Sequence, residues 1–380
     1  MASTTCNAAQ KALIVGAGTA GMSAAITLSR LGLDVDMIDI NPQWGALGAG
    51  ITITGPTLRA LYQLGVYEDV AREAYVGEGI LVCNTEGEPL RQLATPMPAD
   101  SPVESSGGIM RPTLHQILAR HAEAAGAKVR LGLTVNALKQ DASGVEVSFS
   151  DGSQGRYDMV LGADGVFSRV RGLIFPFAPA AEYTGQSAWR LFLERPADVE
   201  RRTYFLGGPS KVGFTPVSDS HMYLFLLERT PKVFIEPDQF HSELAKRLEG
   251  YGGVLKEIRE SLSEKDNDAI NFRPLEAFIL PAPWYSGRVL LIGDAAHPTT
   301  PQLASGAGMG IEDGLVLAEE LAASASVEEA FVRFMERREP RCRLVTNCSM
   351  ELGRLEQERA PVEAQTAVVE RALLTLSEPI

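Results

Sequence analysis

Three glycine-rich segments, each directly after an apolar run, carry the residues best suited to chemistry in this sequence. The first has the spacing GxGxxG, in which Gly16, Gly18 and Gly21 follow the apolar residues 12–15. In this pattern the first glycine makes a tight turn and the second lets the backbone approach a pyrophosphate, while the third allows a helix to pack closely on a strand. The helix that follows would present its free N–H groups and positive dipole end to phosphates.

An acidic residue stands where such a site holds the ribose of a dinucleotide. Asp39 ends the next strand-like stretch, residues 34–39, a little over twenty residues past Gly16. A carboxylate at that place can accept hydrogen bonds from ribose hydroxyls. The glycines could simply form a tight turn, but strand, glycines, helix, strand and acid in register favour a dinucleotide site. NAD(P) and FAD both use this unit, so the choice between them depends on another feature.

Two further charged residues stand at predicted helix starts. Arg111 precedes Pro112, which suits the first turn of a helix, and its guanidinium could pair with a cofactor phosphate. Asp164 lies in the segment GADG after an apolar run, where its carboxylate could accept from hydroxyls or orient an arginine. A solvated charge at Arg111 and a helix-capping role for Asp164 explain these residues equally well at this point.

The third segment, residues 292–321, distinguishes between the two cofactors. Asp294 follows a short apolar strand, at the end where open α/β sheets bind ligands, and could hold a polyol hydroxyl. Gly306, Ala307 and Gly308 let the next helix present bare N–H groups to an electron-rich ring edge. Reduced flavin carries negative charge at such an edge, whereas a nicotinamide cofactor has no use for a second cradle. The segment therefore favours the ribityl chain and isoalloxazine ring of FAD.

Together the three segments resemble those of the single-component flavoprotein aromatic hydroxylases, the group typified by para-hydroxybenzoate hydroxylase and salicylate hydroxylase. The matching blocks are GAGTAG, GADGVFSRVR and GDAAHPTTPQLASGAG, with Arg111 between the first two. The short bacterial enzymes that hydroxylate alkyl-quinolones, urate or salicylate-type rings are the most similar subgroup. The resemblance implies a monooxygenase that uses FAD, NADH or NADPH, and O2. It would hydroxylate a small aromatic or N-heteroaromatic substrate through a flavin C4a-hydroperoxide.

The resemblance also implies roles for individual residues, with Pro301 at the flavin edge and Asp164 serving both FAD and NAD(P)H. Two departures from the family pattern occur: Ile40 replaces a basic residue that often follows the ribose acid, and residues 303–305 replace a usual glycine and glutamine. A flavin-dependent reductase or oxidase, and a non-catalytic flavin- or ligand-binding protein, stay open as alternatives. The implied cofactor-binding residues are Gly16, Gly18, Gly21, Asp39, Gly50, Arg111, Asp164, Asp294, Gly306, Ala307 and Gly308.

Strand-like segments between residues 183 and 227 predict a second sheet that covers the flavin. Arg190 stands among Trp, Leu and Phe, where a cation is costly unless it pairs with an anion or enolate-like ligand. A salt bridge or plain exposure would also explain it. His221 or Tyr223 could deprotonate a substrate hydroxyl, and with Arg190 and Pro301 they form the predicted catalytic set. The predicted pocket residues, which could also form a sheet core, are Trp189, Arg190, Tyr204, Phe214, His221, Tyr223 and Phe225.

These elements predict an α/β fold, with an FAD-binding Rossmann-like domain, a β-sheet-rich substrate domain and C-terminal helices. A chain of 380 residues is long enough to form two lobes. Whether the C-terminal helices cap the core or form a dimer face stays open. The predicted limits are 1–75, 100–178 and 284–330 for the FAD-binding domain, 76–99 and 179–283 for the substrate domain, and 331–380 for the C-terminal helices.

Composition argues against several classes of protein. A net charge of −13 without a basic stripe disfavours nucleic acid as a partner. Glycines interrupt the apolar residues 12–28, which also lack a basic leader, so neither a signal peptide nor a membrane span is expected. Cys6, Cys83, Cys342 and Cys348 show no metal-ligand spacing, which predicts no metal site and a reducing, cytoplasmic location. The expected assembly is a monomer or homodimer.

Overall fold

The computed structural model describes residues 8–45, 48–95, 97 and 100–380, and this part of the chain forms four β-sheets. Cys6 lies outside the described residues. The strands are β1 Lys11–Val15, β2 Asp34–Asp39, β3 Gly50–Thr54, β4 Tyr75–Gly77, β5 Ile80–Cys83, β6 Pro89–Leu93, β7 Ser106–Met110, β8 Lys128–Leu131, β9 Val135–Asp141, β10 Gly144–Phe149, β11 Gln154–Tyr157, β12 Met159–Gly162, β13 Glu182–Glu194, β14 Thr203–Phe205, β15 Lys211–Pro216, β16 His221–Arg229, β17 Ile270–Ala277, β18 Tyr285–Ser286 and β19 Val289–Leu291. The α-helices are α1 Thr19–Arg30, α2 Gly55–Gln63, α3 Tyr67–Glu73, α4 Arg111–Ala124, α5 Arg169–Ile174, α6 Phe240–Arg247, α7 Gly253–Ser261, α8 Gly306–Ala323, α9 Val327–Gln357 and α10 Val362–Ser377.

The first large sheet has six strands in the order β18-β19-β12-β1-β2-β8, and neighbouring strands are parallel except at β18. Its central strands are almost entirely apolar and buried, as expected for a parallel sheet covered on both faces. The core around it includes residues of α1, α4 and α8 and of the antiparallel sheet β11-β10-β9. The glycine loop follows β1 and Asp294 follows β19, the two strands that flank β12 in this Rossmann-like sheet.

The second large sheet has seven strands in the order β17-β13-β16-β15-β14-β5-β6. Its side chains alternate between two faces, because successive strand residues point in opposite directions. Trp189 and Phe214 lie on the face that packs against α6 and α7, in a core that includes Leu244 and Leu255. The prediction that Trp189 and Phe214 line the substrate pocket was therefore wrong. Arg190 lies on the opposite face of the sheet, the face turned away from α6 and α7, which we call the inner face.

A small sheet, β3-β7-β4, joins the two large ones. The hydroxyl of Thr52 on β3 lies 2.8 Å from that of Tyr223 on β16 and 3.0 Å from that of Thr215 on β15. Strand β4 extends past the predicted domain limit at residue 75 and pairs with β7. The domain limits themselves stay a prediction, whereas the α/β fold with a Rossmann-like part, a sheet-rich part and C-terminal helices is confirmed.

The C-terminal helices cap the structure rather than standing apart from it. On α10, Val368 and Ala372 pack against Cys348 and Leu352 of α9. The end of α10 is held by Arg341, whose guanidinium donates to carbonyl oxygens of the last helical turn. Of the two roles left open by the sequence, the structure shows the capping one. No helix among the described residues combines the length and apolar character needed to cross a membrane.

Candidate cofactor and substrate site

The first glycine loop combines two packing positions with one open position. Gly16 has φ +109° and its N–H donates to the carbonyl of Ile38 at 2.7 Å, so it makes the predicted turn. A Cβ on Gly16 would overlap the carbonyl of Ala163, and a Cβ on Gly21 would overlap that of Gly16. A Cβ on Gly18, in contrast, meets no atom within 4 Å. The open space at Gly18, in front of α1, is where a diphosphate could approach.

Asp39 lies at the same loop. Its carboxylate accepts from the N–H of Ala17 and from the N–H of Asn41, each at 2.8 Å. These bonds join the end of β2 to the glycine loop and hold the carboxylate in place. Each carboxylate oxygen can accept a second hydrogen bond. The geometry is therefore compatible with the predicted contact to a ribose.

Asp164 caps the start of α5. Its carboxylate accepts from the Ser168 hydroxyl at 2.5 Å, from the N–H of Arg169 at 2.7 Å and from the N–H of Val170 at 3.0 Å. Burial raises the pKa of Asp164, and these hydrogen bonds oppose the shift. The geometry favours the capping interpretation, because three protein donors use the carboxylate. Its predicted role toward a cofactor stays a prediction.

Asp294 has a different environment. It lies in a short turn, Gly293–Ala295, after strand β19, and Gly293 enters that turn with φ +57°. The side chain is exposed, and among the described residues its carboxylate makes no hydrogen bond. Desolvation by the surrounding protein raises the pKa of Asp294, while the charges of His297 and Arg111 oppose this. An accessible acceptor without a protein partner suits a polyol hydroxyl.

A buried ion-pair network holds the turn that carries Asp294. Asp313 on α8 accepts from the N–H of Gly293 at 2.8 Å and from Nε of Arg338 at 2.7 Å. Nε2 of His297 lies 2.8 Å from the same carboxylate. Burial works against a charged imidazole, but Cys342 and Asp313 raise the pKa of His297 well above its usual value. His297 therefore acts as a structural group beside the loop.

His297, Asp313 and Cys342 have the donor types of a metal site, with ligand atoms within 4.8 Å of one another. Arg338 already lies among them, with Nη2 3.4 Å from the Cys342 sulfur and Nε bonded to Asp313. A guanidinium supplies the positive charge that a metal ion would otherwise supply. We therefore interpret the group as an ion-pair network.

The loop after the network leads to α8. Pro301 begins a short 3-10 turn, and the preceding Thr300 is held by Ser349 of α9 through two hydrogen bonds, of 2.8 and 3.0 Å. Ala304 has φ +51°, a left-handed conformation that favours glycine. Ala304 lies within residues 303–305, where the sequence departs from the glycine and glutamine usual in the family. The strain is thus located beside the loop predicted to meet the flavin.

Gly306, Ala307 and Gly308 form the first turn of α8. A Cβ on Gly308 would overlap the hydroxyl of Thr57 on α2, so this glycine allows helix packing. A Cβ on Gly306 would lie 3.4 Å from the nearest side chain, an ordinary contact. The predicted approach of a ring edge therefore concerns the start of the turn, at Gly306 and Ala307.

Arg190 lies in a row of inner-face residues on the second large sheet. It pairs with Phe225, Phe225 pairs with Gly213, and Gly213 pairs with Tyr204. The rings of Phe225 and Tyr204 meet edge to face, with centroids 5.6 Å apart. The row thus places one cation beside an aromatic wall.

No hydrogen bond or salt bridge joins Arg190 to any residue that the structure describes, so the predicted salt-bridge alternative is wrong. The side chain is half-buried. Burial, with the nearby charges of Arg111 and Arg273, lowers the pKa of Arg190 to about 10, and Tyr223 opposes this shift. An unpaired cation in this setting is unfavourable until an anionic group arrives.

Tyr223 and Gly50 meet where the sheets join. A Cβ on Gly50 would overlap the Tyr223 ring, so the absence of a side chain at Gly50 allows this tyrosine to pack. The Tyr223 ring is buried and its hydroxyl is bonded to Thr52. The predicted cofactor contact of Gly50 stays a prediction, because what the structure gives is a contact with the substrate sheet.

His221 lies apart from this group. It is two residues from Tyr223 but four from Phe225, the residue opposite Arg190, and four residues correspond to about 13 Å at the rise of an extended strand. Its ring stacks on Phe192 with centroids 4.9 Å apart, and Nδ1 lies 2.8 Å from the Ser220 hydroxyl at the turn. The structure thus brings Tyr223 close to Arg190 but leaves His221 at the strand end, which disfavours His221 as the base.

The sequence did not predict two pairs of interacting polar side chains near this site. Lys211, on the inner face of β15, forms a salt bridge of 2.6 Å with Glu356 of α9. Burial opposes the charge of Lys211, but Glu356 raises its pKa above the usual value. Nε2 of Gln302 donates to Oε1 of Gln186 at 2.8 Å and lies 3.4 Å from Glu356. The members of these pairs are far apart in sequence, so local patterns carry no signal for them.

For Arg338, in contrast, the sequence contains a signal that indicates a buried charge. It occupies a position on the buried stripe of α9, between Phe334 and Cys342, each four residues away. An arginine on an otherwise apolar helix face requires a carboxylate partner. The helical spacing of this stripe could therefore have predicted a buried ion pair, although not its partner.

FAD fits these contacts. Gly18 leaves space before α1, Asp294 offers a carboxylate without a protein partner, and the first turn of α8 has N–H groups for a ring edge. An aromatic wall with one unpaired cation forms the inner face of the second sheet. The fold and the site are those of a flavoprotein that binds FAD.

The sequence matches the family described as FAD binding domain over residues 9–349, and the chain belongs to this family. It is 34% identical over 345 residues to YetM of Bacillus subtilis (strain 168), whose name provisionally assigns it to the FAD-dependent monooxygenases. That alignment covers 90% of this chain and 92% of YetM. The chain is also 29% identical over 359 residues to 2-heptyl-3-hydroxy-4(1H)-quinolone synthase of Pseudomonas aeruginosa (strain UCBPP-PA14), covering 92% and 90% of the two chains.

The fold is similar to that of Klebsiella pneumoniae HpxO complexed with FAD and uric acid, with a TM-score of 0.84. The two share 22% identity, and the match covers 96% of this chain and 97% of HpxO.

The predicted family, the FAD cofactor and the monooxygenase class are confirmed by these relations. The protein is an FAD-dependent monooxygenase with NADH or NADPH as its reductant, which disfavours both alternatives left open by the sequence.

Proposed function

We propose that the protein hydroxylates a small aromatic or N-heteroaromatic ring held against the inner face of the second large sheet, with O2 as co-substrate. The observation that carries the proposal is the unpaired Arg190 opposite Phe225, whose ring meets that of Tyr204. The aromatic wall would hold the ring, and the guanidinium would bind an anionic or enolate-like oxygen. Relatives named for a quinolone and crystallised with uric acid support a heteroaromatic substrate.

The chain's own residues would bind FAD and shape the reaction site. When bound and reduced by NAD(P)H, FAD supplies the redox chemistry that activates O2. Asp39 and the first glycine loop would hold its adenosine diphosphate half, with Arg111 along the cofactor, and Asp294 would hold a ribityl hydroxyl. Tyr223, bonded to Thr52, would orient or deprotonate a substrate hydroxyl, which makes the ring a better nucleophile. The second large sheet, lying over the bound flavin, would exclude water from the reaction site.

The test of this function is a screen of phenolic and N-heteroaromatic compounds with the yellow, FAD-loaded protein. A substrate should stimulate NAD(P)H oxidation, consume O2 in a ratio of one to one with product, and gain one oxygen atom by mass spectrometry. Oxidation of NAD(P)H with a reduced rather than hydroxylated product would contradict the proposal. Bound FAD without any stimulated oxidation would do the same.

The cofactor half of the proposal is tested by Asp294→Ala. Because a ribityl hydroxyl loses its acceptor, FAD should be retained less well through gel filtration. Asp198→Ala is the matched control, since Asp198 is likewise an exposed carboxylate on a loop. Equal flavin content in the two variants would argue against the assignment of Asp294.

The cysteines of the chain bear on its location. Cys83, Cys342 and Cys348 are free thiols in the structure, which supports a reducing, cytoplasmic compartment. The proposed assembly is a monomer or homodimer without nucleic acid, and light scattering of the FAD-loaded protein measures it. A higher oligomer would contradict this proposal.

A further inference from the structure

A cavity of about 520 Å³ lies between the start of β13 and the last turns of α9. This volume is in the range of small-molecule sites. Gln186 of β13 and Thr300 of the loop before Pro301 form part of its wall, and only 3% of the surface of each is exposed. The cavity therefore reaches inward as far as the loop predicted to lie at the flavin edge.

Gln186, in the buried part of the cavity wall, is hydrogen-bonded to a second buried glutamine. Nε2 of Gln302 donates to Oε1 of Gln186 at 2.8 Å. The same Nε2 atom lies 3.4 Å from Glu356, which pairs with Lys211 on the inner face of β15. Oε1 of Gln302 is buried and has no hydrogen-bond partner in the part of the chain that the structure describes. The Gln302 amide thus has bonding capacity that the protein itself does not use.

The neighbouring helix leaves room at this point. Gly353 of α9 faces the two glutamines, and a Cβ there would lie 2.8 Å from Oε1 of Gln186 and 3.1 Å from Nε2 of Gln302. Any larger residue would press on the pair. The absence of a side chain at Gly353 therefore gives the two amides the space to make and break their hydrogen bond.

The wall of the cavity combines apolar area with charges of both signs. Tyr183, Ala277 and Met350 contribute apolar surface. Arg229 contributes a cation, and Glu351 contributes an acid. A molecule with a flat apolar body and a polar edge matches this mixture better than a strongly charged one, whose charge would meet a like charge at the rim. The chemistry fits an aromatic compound of one or two rings.

We propose that the aromatic substrate enters through this cavity to reach the inner face of the second sheet. To do so it must pass the hydrogen-bonded Gln186–Gln302 pair, which we call the threshold. The inference rests on the proposed function, because it assumes an aromatic substrate that reacts next to the Pro301 loop. It assigns a binding site to the outer side of the pair and makes the Gln186–Gln302 hydrogen bond the barrier to entry.

The test narrows the cavity mouth without touching the predicted reaction site. Met350→Trp places a larger side chain at the mouth, and Val332→Trp is the matched control on α9, away from the cavity. Met350 is 41% exposed and Val332 45% exposed, so both positions can accept a larger side chain. Thermal unfolding and FAD content of both variants establish that each is folded and loaded.

Association is followed by stopped-flow absorbance of the bound flavin, with salicylate as a one-ring probe and 4-hydroxyquinoline as a two-ring probe. Met350→Trp should slow association of 4-hydroxyquinoline by about tenfold, and salicylate less, while Val332→Trp leaves both rates unchanged. Dissociation should slow in parallel, because an obstructed passage changes rates more than affinity. Gln186→Ala, which removes the threshold bond, should speed both processes.

Two failures are distinguishable. If Met350→Trp binds 4-hydroxyquinoline as fast as Val332→Trp does, or Gln186→Ala leaves the rates unchanged, the passage lies elsewhere and the inference is overturned. If neither probe perturbs the wild-type flavin spectrum and no ring stimulates oxygen uptake, the proposed function itself is contradicted.

Discussion

Two regions of this molecule differ in whether their buried or half-buried arginines have acidic partners. Between α8 and α9, Arg338 pairs with both Glu312 and Asp313, and Arg341 binds Glu312 through two hydrogen bonds. On the inner face of the second sheet, Arg190 has no acidic partner among the described residues. The first arrangement satisfies its charges within the protein, whereas the second leaves a cation for another molecule to satisfy.

This difference indicates that the ion-pair network stabilises the fold, whereas the region around Arg190 binds substrate. The paired network fixes the backbone on both of its sides, since Asp313 holds Gly293 and Arg341 holds the last turn of α10. Arg59 of α2 also donates to carbonyl oxygens of that last turn. The unpaired Arg190 holds no backbone group. Stability should therefore depend on the network, and substrate binding on Arg190.

The largest expected effect is in the network. Arg338→Met leaves Glu312 and Asp313 buried with one guanidinium fewer, and breaking such a pair costs about 3–5 kcal/mol of unfolding free energy. FAD retention should fall as well, because Asp313 would hold the Asp294 turn less firmly. Urea unfolding and flavin content measure the two effects. Arg333→Met, on the exposed face of α9 and paired only with Glu329, should change stability by less than about 0.5 kcal/mol.

Arg190→Met should show the reverse pattern. Removing an unpaired, partly desolvated cation should leave the unfolding free energy unchanged or raise it slightly. The KM for an anionic substrate should rise about tenfold or more, or NAD(P)H oxidation should become uncoupled from hydroxylation. Steady-state kinetics together with product analysis measure this. Arg91→Met on the exposed strand β6 is the control. A large loss of stability in Arg190→Met with normal KM would invalidate the comparison.

His297 adds a pH dependence to the paired region. Its folded-state pKa is raised well above the usual 6.5, chiefly by Cys342 and Asp313 against the effect of burial. A raised folded pKa stabilises the protein fully below the unfolded pKa, and this contribution is lost as pH rises through the folded pKa. Wild-type unfolding free energy should therefore fall relative to that of His297→Gln as pH increases above 6.5. Parallel pH profiles for the two proteins would contradict this.

The smallest effect is expected at Ala304, in the loop that joins the network to the site. Ala304→Gly removes the strain of a left-handed alanine and should stabilise the protein by about 0.5–1 kcal/mol. Ala307→Gly, in the first turn of α8, is the matched control and should destabilise by a similar amount. Thermal unfolding compares them. The same sign for both variants would show that loop strain does not decide the result.

Local sequence patterns predicted the parts of the site that one or two neighbouring elements build. Gly16, Gly18 and Gly21 have separate roles that follow from the turn, the open approach and the helix packing of one βαβ unit. Asp294 follows from its place at the end of an apolar strand. Such features depend on bonds between residues close in the chain, so composition and spacing determine them.

Only the tertiary structure decided which strand face meets the cleft and which distant groups join it. Alternation placed Trp189 and Arg190 on opposite faces, but α6 and α7, far along the chain, determined that the Trp189 face is the covered one. The Lys211–Glu356 and Gln186–Gln302 pairs join residues more than a hundred positions apart. A hydrogen bond acts over about 3 Å, so its partners are determined by how whole elements pack and not by their order in the sequence.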